Sequence, residues 1–151
     1  MIIIVCTDDP GLTNIAQQSI VAHPGVFGNF YQIYTNPIPQ IGAAENLFII
    51  AHGAYNGDDN NPVIGDQANA FYVNAVELWE NIQNIFPHGY QGNVYIDACE
   101  SADNDAQTFS FAEVFLTQIQ AMFGTTQVYG RNGTVGGQIP VPGDPTWVQA
   151  H

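Results

Sequence analysis

Residues 47–53 read Leu-Phe-Ile-Ile-Ala-His-Gly, and residues 94–101 read Val-Tyr-Ile-Asp-Ala-Cys-Glu-Ser. Each stretch is a short apolar run that stops at a reactive side chain, His52 in the first and Cys99 in the second. Short continuous apolar runs are typical of strands that are buried on both faces of a parallel sheet. The two stretches therefore predict two buried strands, each of which ends at a candidate catalytic group.

Other strands and helices alternate with these two stretches along the chain. We predict strands at residues 2–6, 30–34, 46–51, 93–98 and 126–130, helices at residues 10–22, 71–86 and 109–123, and a short hairpin at residues 133–139. Residues 53–70 are polar and predict a long loop without regular structure. Strands that alternate with helices are typical of a mostly parallel sheet with helices on both faces. The sequence therefore predicts a single α/β domain over residues 1–151.

The residue types at the two strand ends point to nucleophilic catalysis. A cysteine attacks as its thiolate, so it needs a base close by, and histidine is the usual one. In parallel sheets the active site lies at the carboxyl ends of the strands, where His52 and Cys99 are expected. The developing oxyanion needs N–H donors, for which the backbone of Gly53 and of Cys99 are the candidates. The pair predicts a cysteine hydrolase, with a protease as the first choice.

Charge and cysteine content exclude several other classes of function. The chain has one Arg, no Lys and fourteen acidic residues, a net charge of −13, which repels phosphate backbones and argues against nucleic-acid binding. The apolar runs are too short to span a membrane. Two cysteines do not make a disulfide framework, and we expect Cys6 to be a small core residue in a protein of the reducing cytoplasm. The lack of lysine also fits a second hypothesis, delivery into a host cell by a route that needs no signal peptide.

The two motifs together resemble those of the caspase-like cysteine peptidases. This group includes caspases, legumains, metacaspases, clostripain and the self-processing protease domains of large bacterial toxins, and the order of elements is most similar to the toxin domains. The shared pattern is a hydrophobic strand that ends in His-Gly, followed by another that ends in Ala-Cys or Gly-Cys. The resemblance implies a three-layer caspase-like sandwich and a bacterial cysteine endopeptidase. It also implies that His52 is the general base and Cys99 the nucleophile.

The resemblance further implies that the residue two positions before the nucleophile lines the substrate pocket, and here that residue is Asp97. A free carboxylate there resembles metacaspases and clostripain and implies cleavage after Arg or Lys. An ion pair between Asp97 and Arg131 would instead resemble the mixed-charge pocket of legumain and imply cleavage after Asn or Asp. A third reading is that Asp97 only caps a neighbouring turn.

No resident cofactor is expected. The toxin domains bind inositol hexakisphosphate through many Lys and Arg side chains, and a chain with Arg131 as its one strong base cannot neutralise that ligand. Calcium is a minor alternative, because residues 58–60 and Asp66 supply oxygen ligands that lack the EF-hand pattern. The expected partner is a peptide or protein substrate, and the sequence does not indicate an oligomeric state.

Two rival functions use the same scaffold. A caspase-like fold without catalytic activity would serve as a binding or effector module. A thiol hydrolase or transferase would use the same two residues on a substrate other than a peptide.

Overall fold

The computed structural model describes residues 1–57, 61–66, 71–104 and 108–151. Its strands are β1 (Ile2–Ile4), β2 (Phe30–Gln32), β3 (Leu47–Ile50), β4 (His52–Asn56), β5 (Pro62–Gly65), β6 (Tyr72–Asn74), β7 (Val94–Asp97), β8 (Val128–Gly130) and β9 (Val148–Gln149). Its helices are α1 (Pro10–Ala22), α2 (Ala75–Ile82), which a 3₁₀ turn at Gln83–Ile85 extends, and α3 (Phe111–Gln120). No helix in these described ranges is both long enough and apolar enough to cross a membrane.

The main sheet is mostly parallel, as the sequence predicted. Within the described part of the chain it has six strands in the order β2-β1-β3-β7-β8-β9. All neighbouring pairs are parallel except β8 and the edge strand β9. In the central pair, β3 and β7 are in register from Leu47 opposite Val94 to Ile50 opposite Asp97. The carboxyl ends of these two strands therefore lie side by side.

Helices cover both faces of this sheet, which also agrees with the prediction. Alternate residues of each strand face opposite sides of a sheet. On one side, Ile2 and Ile4 pack in a cluster with the α1 residues Leu12 and Ala16. The other side belongs to a larger cluster that contains Ile3 and buried residues of α2 and α3. The central strands are buried because each face has its own apolar layer.

The helix starts follow from capping side chains. Asp9 caps α1 by accepting the N–H of Leu12 on Oδ1 at 3.1 Å, and Pro10 occupies the first turn, so the helix has its predicted bounds. Ser110 and Glu113 form a capping box, which starts α3 at Phe111 and not at the predicted residue 109.

The predicted long loop at residues 53–70 is wrong. Its described parts form β4 and β5, which pair antiparallel with each other and continue to β6 in a second, three-stranded sheet. Val63 and Ile64, in the middle of β5, are buried. The run Pro62-Val63-Ile64-Gly65 is too short to stand out among the Asn, Asp and Gly residues around it.

Two further predictions need correction. The helix predicted at residues 71–86 begins only at Ala75, because Asn74 and Glu77 form a capping box that the apolar periodicity concealed. The hairpin predicted at residues 133–139 contains no strand, and the strand that pairs with β8 is β9.

Candidate active site

His52 and Cys99 lie at the same edge of the main sheet. Each residue follows the end of a central strand by two positions, since β3 ends at Ile50 and β7 at Asp97. The backbone N–H of Ala54 donates to the carbonyl oxygen of Cys99, so the two segments are in direct contact. The sequence predicted His52 at the end of a strand. The structure instead places it at the start of β4, which leaves the main sheet.

A carboxylate holds the His52 ring from the side of α1. His52 Nε2 is 2.8 Å from Asp9 Oδ2, with the Asp9 side chain 13% exposed and that of His52 41% exposed. An imidazole whose Nε2–H donates to a carboxylate carries its free lone pair on Nδ1. The second Asp9 oxygen caps α1, so the helix start fixes the carboxylate that orients the histidine.

The turn after Cys99 is held by several internal hydrogen bonds. Glu100 has a left-handed backbone with φ of 60°, and its N–H donates to the carbonyl of Gly133 at 2.8 Å. Ser101 is fully buried; its hydroxyl donates to the Ile96 carbonyl and accepts the N–H of Arg131, both at 2.9 Å. A left-handed non-glycine residue persists only where its surroundings enforce it. Ser101 is the last residue of the motif at residues 94–101, but the sequence alone did not indicate a role for it.

Cys99 is partly exposed as a residue, and its sulfur contacts the backbone of the loop that follows β8. The N–H of Val135 donates to Sγ at 3.3 Å, and the carbonyl oxygen of Val135 lies 3.7 Å from the same sulfur. A backbone N–H directed at sulfur can also solvate the negative charge of a thiolate. The nucleophile candidate thus belongs to a partly exposed residue, and its sulfur is hydrogen-bonded to the Val135 backbone.

The two predicted oxyanion donors differ in their surroundings. Among the described residues, no acceptor forms a hydrogen bond with the Cys99 N–H. Gly53 has φ of +127°, and a Cβ there would lie 2.6 Å from the Val63 carbonyl oxygen. The small size of Gly53 therefore accommodates the neighbouring strand β5.

Asp97 and Arg131 form an ion pair at the same edge of the sheet. Arg131 Nη1 donates to Asp97 Oδ1 at 2.7 Å, and the two side chains are 14% and 8% exposed. The guanidinium carbon also lies 5.2 Å from the centre of the Trp147 ring, a cation–π contact. Burial raises the pKa of Asp97 to about 6 despite the nearby guanidinium.

A small cleft opens beside the Cys99 turn. It has a volume of about 180 Å³ and lies between two walls. One wall comes from the β4–β5 hairpin and the other from the chain after Cys99; the lining residues are Ala54, Asn56, Pro62, Glu100, Asp103, Asn104 and Thr108. The cleft therefore borders both segments that carry the candidate dyad.

Of the residues predicted as calcium ligands, the structure describes only Asp66. Residues 58–60 lie outside the described residues. Asp66 is fully buried, and its Oδ2 accepts the N–H and the hydroxyl of Thr7 at 2.9 and 2.7 Å. Within the described ranges, no group of three or more His, Cys, Asp or Glu residues is arranged to hold a metal ion.

The other cysteine and two other histidines are placed differently from the dyad. Cys6 is fully buried, as expected of a core residue, and burial raises the pKa of its thiol to about 11. His23 and His88 are exposed, and the backbone N–H of His23 ends α1 by donating to the Ser19 carbonyl.

Asp9 is the site residue that the sequence analysis missed. Besides capping α1, it contacts His52. The available signal was its position after the first buried strand, whose carboxyl end lies at the same edge of the sheet as the ends of β3 and β7.

Comparison of this chain with protein-family models, with curated proteins and with solved structures finds no match. Site geometry is therefore the basis for a functional assignment.

Proposed function

We propose that the chain is a cysteine endopeptidase with a caspase-like fold, in which Cys99 is the nucleophile and His52 the general base. One observation carries the proposal: a carboxylate-oriented histidine and a partly exposed cysteine follow adjacent parallel strands at one sheet edge. The backbone contact between Ala54 and Cys99 joins their segments. A nucleophile, a base and a group that orients the base are the parts that acyl transfer requires.

The proposed reaction uses two acyl transfers. Nδ1 of His52 takes the thiol proton of Cys99, and the sulfur attacks the peptide carbonyl carbon. The tetrahedral intermediate collapses as the C–N bond breaks, and His52 gives its proton to the leaving amine. Water, deprotonated by His52, then attacks the thioester. The C–S bond breaks, the peptide acid leaves, and the thiol regains its proton.

Two features of the site would stabilise charge during this reaction. The Asp9 carboxylate faces the imidazole ring and would stabilise the imidazolium that forms in each step. The Cys99 N–H is the better supported oxyanion donor, because it forms no hydrogen bond within the described residues. The N–H of Gly53 stays a proposed second donor.

The ion pair near Cys99 supports a preference for an amide side chain before the cut. Asp97 is already paired with Arg131, so it does not offer a free carboxylate to a substrate Arg or Lys. An Asn side chain can donate to a carboxylate and accept from a guanidinium at the same time. We therefore propose Asn as the favoured residue and cleavage after basic residues as the second option.

A panel of fluorogenic peptides that differ only in the residue before the cut tests this function. The panel contains Asn, Asp, Arg, Lys and Leu, and it is incubated with the wild-type protein and with Cys99→Ala. We expect cleavage by the wild type, fastest after Asn, and none by the variant. Equal cleavage by the variant would contradict the mechanism, and fastest cleavage after Arg would contradict the pocket.

The rival function is a binding or effector module without catalysis. The contact between Val135 and the Cys99 sulfur favours this rival function, since the N–H and the carbonyl of Val135 both already contact the sulfur. A binding module would retain a peptide ligand without cleaving it. Unchanged mass of a bound peptide after long incubation with the wild type would support this function over the peptidase.

A further inference from the structure

Asp66 is a buried carboxylate that is linked to the segment before Asp9 and has no part in the reaction above. Asp66 directly follows β5, and Gly65, the last residue of β5, pairs with His52 in the β4–β5 ladder. Its side chain is fully buried, although aspartate is seldom buried without partners. One of its oxygens accepts both the N–H and the hydroxyl of Thr7.

Those two hydrogen bonds fix the connection between β1 and α1. Thr7 is two residues before Asp9, whose carboxylate contacts His52 at 2.8 Å. A second contact holds the same backbone segment, because the Gln32 side-chain amide donates to the carbonyls of Cys6 and Thr7. The short segment that presents Asp9 is therefore tied to β2 on one side and to the end of β5 on the other.

We propose that Asp66 is a positioning residue for the Asp9–His52 pair. We call the two hydrogen bonds from Thr7 to Asp66 the clamp, because they hold the segment that carries Asp9. His52 lies on β4, and Asp66 directly follows β5, the strand that pairs with β4. The base and the clamp therefore belong to one hairpin. A shift of this hairpin moves both together, which keeps the carboxylate against Nε2. Charge-assisted hydrogen bonds to a buried carboxylate are strong enough to hold a loop in one place.

This role predicts that loss of the clamp alters the tautomer of His52 and not only the stability of the fold. If Asp9 no longer faces Nε2, the ring proton is free to occupy either nitrogen, and the lone pair is lost from Nδ1 in part of the molecules. In the peptidase, on which this inference rests, kcat would fall while KM stays unchanged, because Asp66 does not contact substrate.

Thr7 offers a matched pair of variants at an exposed position. Thr7→Val removes the hydroxyl, and with it one of the two hydrogen bonds to Asp66, without changing the side-chain shape, whereas Thr7→Ser keeps both. Asp66→Asn removes the buried charge and is a second way to weaken the hydrogen bonds between Thr7 and residue 66. Nitrogen NMR of the imidazole rings, with His52 assigned by its loss in His52→Gln, reads the tautomer in the free protein. Peptide cleavage gives kcat and KM.

We expect wild type and Thr7→Ser to hold the His52 proton on Nε2, and Thr7→Val and Asp66→Asn to contain both tautomers. In the same two variants kcat should fall about 10-fold with KM retained. Unchanged tautomer and kcat in folded Thr7→Val and Asp66→Asn would overturn the positioning role, even if their melting temperatures fall. If Asp66→Asn does not fold, the Thr7 pair decides alone.

The tautomer measurement separates this inference from the proposed function. A wild type that cleaves no peptide, but whose His52 tautomer depends on Thr7 and Asp66, would refute the peptidase and support the clamp. A wild type that cleaves peptides, with the same His52 tautomer in every variant, would support the peptidase and refute the clamp.

Discussion

β1 and β7 present the same local pattern with opposite outcomes for a cysteine. Both strands cross the buried centre of the sheet, and each is followed by a cysteine two residues after its end, Cys6 and Cys99. Cys6 is fully buried, and burial raises its thiol pKa to about 11. Cys99 is partly exposed and accepts a backbone N–H from Val135.

The difference lies in how the chain leaves each strand. After β1, Thr7 is held by Asp66 and Gln32, and the chain enters α1 with Cys6 beneath it. After β7, the chain turns back through the left-handed Glu100, and Ser101 anchors the turn from below. Both cysteines follow a rigid strand end, and the turn after the strand decides which of them is exposed.

The largest expected effect is a difference in alkylation rate between the two cysteines. A thiol with a pKa of about 11 is almost entirely protonated at neutral pH, and that of Cys6 is also shielded from solvent. We expect iodoacetamide to modify Cys99 at least about 1,000-fold faster than Cys6, as measured by peptide mass spectrometry. In denaturant the two rates should become similar. Equal rates in the folded protein would remove the contrast between the two strand ends.

Loss of the base should have the next largest effect. His52→Ala should lower kcat by about 10² to 10⁴-fold, since general acid–base catalysis contributes about this much. His23→Ala is the control, because His23 is exposed at the end of α1. Cleavage kinetics of both variants decide the point. A similar loss in the two variants would mean that His52 has no special role.

The carboxylate partner should matter less than the base itself. Asp9→Asn keeps a good cap for α1 but offers an amide N–H to Nε2, which favours the tautomer with the proton on Nδ1. We expect kcat to fall about 100-fold, while thermal stability changes little. Asp8→Asn removes the same charge from the adjacent, exposed residue and should leave kcat unchanged. Full activity of Asp9→Asn would refute an orienting role for Asp9.

The smallest expected effect concerns the stability contributed by Asp97, the last residue of β7. Burial raises the pKa of Asp97 to about 6, so the folded state binds this proton more tightly than the unfolded state does. Its contribution to the free energy of unfolding is present at low pH and is lost as the pH rises from about 4 to about 6. Asp97→Asn should remove this loss, as read from denaturant unfolding across that interval.

Asp144→Asn is the control with the opposite sign. Hydrogen bonds from Thr146 lower the pKa of Asp144, so its small contribution to the free energy of unfolding is lost as the pH falls. A pH dependence in Asp97→Asn identical to that of the wild type would contradict the raised pKa of Asp97.

The central sheet was predictable because its signals are local. The strands β1, β3 and β7 are continuous apolar runs, and α1 and α3 begin at side chains with strong capping preferences, Asp9 and Ser110. The sheet of β4, β5 and β6 was not predictable in this way. Its strands carry few apolar residues, and the pairing of β4 with β5 and of β5 with β6 is not visible as a hydrophobic period in the sequence.

The candidate site was predictable only in part for the same reason. His52 and Cys99 stand at visible strand ends, and the pairing of Asp97 with Arg131 was one of the alternatives considered. The contact between Asp9 and His52 joins residues 43 positions apart, and that between Asp66 and Thr7 joins residues 59 apart. Such contacts require the packing of α1 and of the β4–β5 hairpin around the sheet edge.

Covalent trapping by a peptide that carries an acyloxymethyl ketone tests the central claim most directly. Intact mass and peptide mapping after incubation locate the adduct in the wild type and in His52→Ala. The account predicts a single adduct on Cys99 in the wild type and a much slower one in His52→Ala. An adduct shared between Cys6 and Cys99, or formed on Cys99 at the same rate without His52, would contradict it.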